Sequence, residues 1–78
     1  MKMKFITALV KAPMRDVILI DKDDNRIIKF GWHKSVSPSL QPTWDEEVEF
    51  DYDDYETTIK FLNITAAEFV QRVKEYNK

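Results

Sequence analysis

The chain has 78 residues, of which 44% are apolar, 13% aromatic and 33% charged, with one glycine, no cysteine and a net charge of −2. A chain of this length is expected to form one domain, residues 1–78, that buries about 60% of its unfolded surface. The composition argues against disorder and against a glycine-rich phosphate cradle, and it excludes disulfides and thiolate metal sites.

Residues 3–12, MKFITALVKA, are rich in β-branched and apolar types and stop before Pro13, which predicts a first strand. The apolar run Phe5–Val10 closes at Lys11, too short for a signal-peptide core or a membrane span. With no secretory leader and no cysteine, a cytoplasmic protein without membrane contact is expected. Residues 16–21, DVILID, read as a second strand and residues 26–33, RIIKFGWH, as a third. Between them Lys22–Asn25 form a polar turn whose Asp and Asn can bond their own backbone, so a β-hairpin is expected here. Asp21–Asn25 begins like a calcium loop. Arg26 and Trp32 stand where that loop needs Gly and Glu, so the turn reading holds.

Residues 34–44, KSVSPSLQPTW, carry two prolines and four hydroxyl side chains and read as a long loop. Residues 46–53 form a fourth strand and 57–62 a fifth, joined at Asp53–Glu56. Thr65-Ala66-Ala67-Glu68 is a capping box, with Ile64 and Phe69 as its hydrophobic staple. Ala66, Phe69, Val70, Val73 and Tyr76 form one apolar stripe of the helix that follows. Glu68 and Arg72 are spaced for an ion pair within that helix, and Lys74 and Lys78 suit its C-terminus.

The expected class is α+β: a small five-stranded, mostly antiparallel sheet or partly closed barrel with one C-terminal helix packed on it, in the order β-β-β-β-β-α. The first three strands read as apolar on both faces, with Phe5, Thr7 and Leu9 opposing Ile6, Ala8 and Val10. Such strands need two covers. Either the sheet curls into a barrel or the second face meets another molecule, most simply a second copy.

Charge is unevenly placed. Residues 1–44 hold eight basic and four acidic side chains, +4, and residues 45–78 hold four basic and ten acidic, −6. The acids concentrate in DEEVEFDYDDYE, residues 45–56, where eight of twelve are acidic. Side chains alternate across a strand, so Val48, Phe50 and Tyr52 share the core face while Asp45, Glu47, Glu49, Asp51 and Asp53 share the other. Alternate residues lie about 6.6–6.8 Å apart, which sets out a carboxylate row comparable in spacing to nucleic-acid phosphates. Such a row suits a basic partner surface. Its competitors are an edge strand charged against unwanted pairing, a calcium site gathered from Asp51, Asp53, Asp54 and Glu56, and neutralisation across the sheet by Lys29, His33 or Lys60.

Trp44 stands either as an exposed interface anchor beside the row or as a lid on the core, and Tyr52 and Tyr55 share that ambiguity. Residues 26–34 mix Arg26, Lys29, Phe30, Trp32, His33 and Lys34, a pattern able to stack and pair with single-stranded nucleic acid. Phe30 and Trp32 share a face with Ile28, however, and the carboxylates repel a polyanion. A single His33 beside Ser35, Ser37 and Ser39 is not a triad. The reading is therefore a non-catalytic protein-binding module or inhibitor without cofactor or metal. It presents Trp44, Asp45, Glu47, Glu49, Asp51, Asp53 and Tyr55 to a basic partner, for which the carboxylate row would imitate nucleic acid; small acidic binding proteins of this type are frequent among phage and mobile-element products. The alternatives are a homo-oligomeric assembly subunit and a small nucleic-acid-binding β-barrel using residues 26–34.

Overall fold

Phe5, Ala8, Leu9 and Ala12 recur at the spacing of one helix face. The computed structural model, which describes residues 1–32 and 37–78, turns that face into the core. A short strand β1 (Lys2–Lys4) passes directly into helix α1 (Phe5–Lys11). The first strand expected over residues 3–12 is thus corrected to a strand of three residues followed by a helix. As a strand, residues 5–12 would split their apolar side chains between two faces. As a helix they bury Phe5, Ala8 and Leu9 together and leave Val10 to solvent. The helix ends at Ala12, which the following proline holds in an extended conformation (φ −57°, ψ 129°).

The other strands are β2 (Asp16–Ile20), β3 (Arg26–Phe30), β4 (Glu47–Tyr52) and β5 (Glu56–Phe61), and helix α2 spans Ala66–Tyr76. Together the strands form one five-stranded sheet in the order β1-β4-β5-β2-β3. β2 runs parallel to β5, and the other three pairs are antiparallel. The sheet is mixed and open, with β1 and β3 as edges, so the barrel alternative is set aside.

Val17, Leu19, Val48, Phe50, Ile59 and Phe61 share one face of the sheet by register and are all buried there. Both helices contribute to that core. The Phe61 ring meets Phe5 of α1 at 4.8 Å between centroids and Phe69 of α2 at 5.3 Å. Among the described residues no helix covers the opposite face. Since the first segment is helical, the two-sided apolar pattern that called for a second cover shrinks to Ile18 and Ile20, half-buried beside Thr58, Lys60 and Lys29.

The β2–β3 hairpin forms where the sequence placed it. Asp24 takes a left-handed conformation (φ 65°), which Asp tolerates better than most residues. Asp21 is buried at the turn. Its carboxylate accepts from the Asp23 and Asn25 amides (2.9 and 2.8 Å) and from the Ala66 amide at the start of α2 (2.8 Å). Burial raises the Asp21 pKa, but these backbone hydrogen bonds outweigh it and hold the group below its ordinary value. One side chain therefore closes a hairpin and anchors a helix.

The expected long loop is partly ordered. Pro38–Thr43 form a 3-10 helix with Leu40 and Thr43 buried, and the Thr43 hydroxyl donates to the Leu40 carbonyl at 2.8 Å. This segment is the seat of α2: Tyr76 Oη donates to Gln41 Oε1 (2.7 Å) and Asn77 Nδ2 to the Ser39 carbonyl (3.1 Å). Thr65 caps α2, accepting from the Glu68 amide at 3.1 Å as the sequence indicates. The reciprocal contact differs, since the Thr65 hydroxyl bonds the Glu68 carboxylate at 3.2 Å. Of the expected apolar stripe, Phe69 is buried and Val73 packs on the core, while Val70 and Tyr76 are exposed.

Candidate interaction surface

β4 alternates as its sequence requires. Val48 and Phe50 point into the core, and Glu47, Glu49 and Asp51 lie on the open face. It is an interior strand, flanked by β1 and β5, so its carboxylates do not guard an edge. The neighbours also decide which cations can meet them. Lys29 lies on β3, beyond β5 and β2, and pairs with Asp16 at 3.8 Å, and Lys60, which faces Glu49 in register, reaches Asp24 at 2.7 Å. His33 lies outside the described residues.

Neutralisation comes instead from the N-terminal strand. Register sets Lys2 opposite Glu49 and Lys4 opposite Glu47, and Lys4 Nζ lies 3.6 Å from Asp45. The N-terminal ammonium bonds the Glu49 carboxylate. That hydrogen bond, with the positive charges of the ammonium and Lys2, outweighs partial desolvation and lowers the Glu49 pKa. Glu46 pairs with Arg72 of α2 at 2.8 Å, which replaces the expected Glu68–Arg72 pair. The basic and acidic halves of the sequence are thus interleaved in space, and the lower half of the carboxylate row meets the chain's own cations.

The upper end differs. Among the described residues, Asp51 accepts only the adjacent Tyr52 amide (2.9 Å). Asp53 is held in the β4–β5 turn, accepting from the amides of Tyr55 (2.7 Å) and Glu56 (2.9 Å). The Glu56 and Tyr55 amides, with the more distant Arg15 charge, lower its pKa. Asp54 is exposed and has no ion pair among the described residues. Tyr55, at the tip, is 85% exposed and Tyr52 56%. The parallel pairing of Asp16 with Glu56 brings the α1–β2 connection to this same end, with Met14 80% exposed. There the Arg15 guanidinium lies 5.7 Å from the centre of the Tyr52 ring.

The residues singled out by sequence therefore divide. Asp51, Asp53 and Tyr55 gather at the hairpin end, while Glu47 and Glu49 lie on the β1-flanked part of β4 and Asp45 sits in the turn just before that strand, off the row expected of it. Trp44 is half-buried and packed against the core at the end of the 3-10 helix, in the lid position, and its indole Nε1 is buried without a hydrogen-bond partner among the described residues. Sequence reasoning missed Met14 and Arg15, because only the non-local β2–β5 pairing brings their turn beside the hairpin tip. Among the described residues no three acidic side chains converge on a common metal position, and no helix is long and apolar enough to cross a membrane. In the segment read for nucleic-acid stacking, Phe30 packs on the core and the Trp32 indole donates to the Ala12 carbonyl at 3.0 Å, while His33 and Lys34 lie outside the described residues. Ser35 lies outside them too. Ser37 caps the 3-10 helix through the Ser39 amide at 3.3 Å.

Comparison with known protein families, with curated proteins and with solved structures returns no match.

Proposed function

We propose that the protein is a non-catalytic binding module whose recognition surface is the tip of the β4–β5 hairpin, and that its partner is a protein with a basic surface. One observation carries this reading. Large side chains able to anchor an interface, Met14, Tyr52 and Tyr55, stand exposed at the same end of the sheet as Asp51 and Asp54, which form no ion pair among the described residues. Interfaces favour aromatic and Met side chains at their centre, ringed by polar groups, and hot spots favour Tyr. Carboxylates around such a centre steer a cationic partner and set its orientation. A further support is the spent state of the lower row: Asp45, Glu46 and Glu49 already have cations and offer less to a partner.

The test compares three baits in lysate capture read by mass spectrometry: the wild type, a tip variant (Asp51→Asn, Asp54→Asn, Tyr55→Ala) and a strand variant (Glu47→Gln, Glu49→Gln). The proposal expects a defined protein with the wild type and the strand variant, lost with the tip variant and weakened by salt. Equal capture by all three baits, or loss with the strand variant alone, overturns it.

A further inference from the structure

β3 is an edge of the sheet, and no described residue hydrogen-bonds to its outer side. An edge strand of this kind is a template for strand addition. The two faces of β3 are chemically distinct. Register with β2 puts Ile28 opposite Leu19 on the core face, and it puts Lys29 opposite Ile18 and Arg26 opposite Ile20 on the open face. Ile28 is 44% exposed even though its face is the buried one, because the core stops at this edge. Arg26 is exposed and has no ion pair among the described residues, and Lys29 reaches only Asp16, at 3.8 Å.

From this arrangement we infer that β3 is a second docking site, distinct from the hairpin tip, and that it takes an extended acidic segment of another protein. The incoming strand alternates. Its apolar residue covers Ile28 and extends the core past the edge, while carboxylates on its other face meet Arg26 and Lys29. Opposite charges and apolar pairs across neighbouring strands are the interactions that stabilise such pairing. A second copy of this chain is the weaker occupant. Self-pairing of β3 gathers four cations, Arg26 and Lys29 from each copy, in one two-stranded ribbon whatever register it takes, with no carboxylate of β3 to offset them.

The test uses two synthetic hexapeptides, acetyl-(Glu-Val)3-amide and acetyl-(Lys-Val)3-amide, titrated into the isotopically labelled full chain while backbone amide shifts are followed. The acidic peptide is expected to shift the amides of residues 26–30 and to bind at least tenfold more tightly than the basic one. Arg26→Glu alone should weaken the acidic peptide about tenfold, and Arg26→Glu with Lys29→Glu should invert the preference, with the remaining spectrum unchanged. The inference fails if neither peptide shifts β3 at millimolar concentration, if both shift it equally, or if the acidic peptide's shifts fall at residues 52–56 instead. It also fails if the free chain sediments as a dimer that Arg26→Glu leaves intact and that blocks the peptide.

Discussion

Phe61 is the residue whose replacement should be most informative about the fold. It is fully buried on β5, opposite Val48, and its ring touches Phe5 of α1 and Phe69 of α2, so it ties both helices to the sheet. Phe61→Leu keeps an apolar side chain in the cavity but removes two aromatic contacts, each worth about 0.5–1.5 kcal/mol, for an expected loss of about 1–3 kcal/mol. Phe61→Ala leaves a cavity and should cost about 3–5 kcal/mol. A domain of 78 residues has about 4–12 kcal/mol in total, at about 0.05–0.15 kcal/mol per residue. The Leu variant should therefore fold with a lowered urea midpoint and an unchanged denaturant slope, and the Ala variant should be marginal. Urea unfolding followed by tryptophan fluorescence reads both. A Leu variant within about 0.5 kcal/mol of wild type would refute the central place given to this ring.

Asp21 ties stability to pH. Its folded pKa lies below the ordinary value, so its contribution is fully present above the unfolded-chain pKa of about 3.9 and is lost as pH falls through the lower, folded value. Asp21→Asn should lower the thermal midpoint at pH 7, flatten the acid limb of the stability profile and speed hydrogen exchange in the first turn of α2, since the amide group brings a donor to the Ala66 N–H. A variant with wild-type exchange there would rule out the anchoring role. Glu46→Ala and Arg72→Ala should each cost about 1 kcal/mol, with a coupling of about 0.5–1 kcal/mol in a double-mutant cycle; additive losses would show that the pair at 2.8 Å contributes nothing of its own. Asp54→Asn and Tyr55→Ala touch only exposed side chains and should leave the thermal midpoint within a degree or two of wild type, on the scale of about 0.5 kcal/mol or less for surface changes. A larger drop would assign the tip a structural role.

The fold was legible wherever local chemistry decided it. The Asp- and Asn-rich turn announced the β2–β3 hairpin, the alternation of Glu47–Tyr52 announced β4, and Thr65 with Glu68 announced the start of α2. The first segment misled because its β-branched residues support both a period of two and the helix spacing of Phe5, Ala8, Leu9 and Ala12. Packing chose the helix, since only the helix puts all four on one side. The electrostatics of the candidate surface were less legible. Lys2 and Lys4 are more than forty residues from the carboxylates they face, and nothing local indicates that β1 inserts beside β4. Arg72 chose Glu46, across the fold, over the helical neighbour that spacing favoured. The parallel β2–β5 pairing that carries Met14 and Arg15 to the hairpin tip is likewise a non-local event. A carboxylate row read along one strand says little until the strands on either side are known.

The measurement that bears most directly on the proposed function is site-specific photocrosslinking in lysate. A benzophenone side chain is placed by Tyr55→p-benzoylphenylalanine and, in a separate protein, by Glu47→p-benzoylphenylalanine. The probe at position 55 is expected to capture one defined protein, with yield falling as salt rises, and the probe at position 47 to capture none. Capture from position 47 alone, or equal capture from both positions, would contradict the assignment of the hairpin tip as the recognition surface.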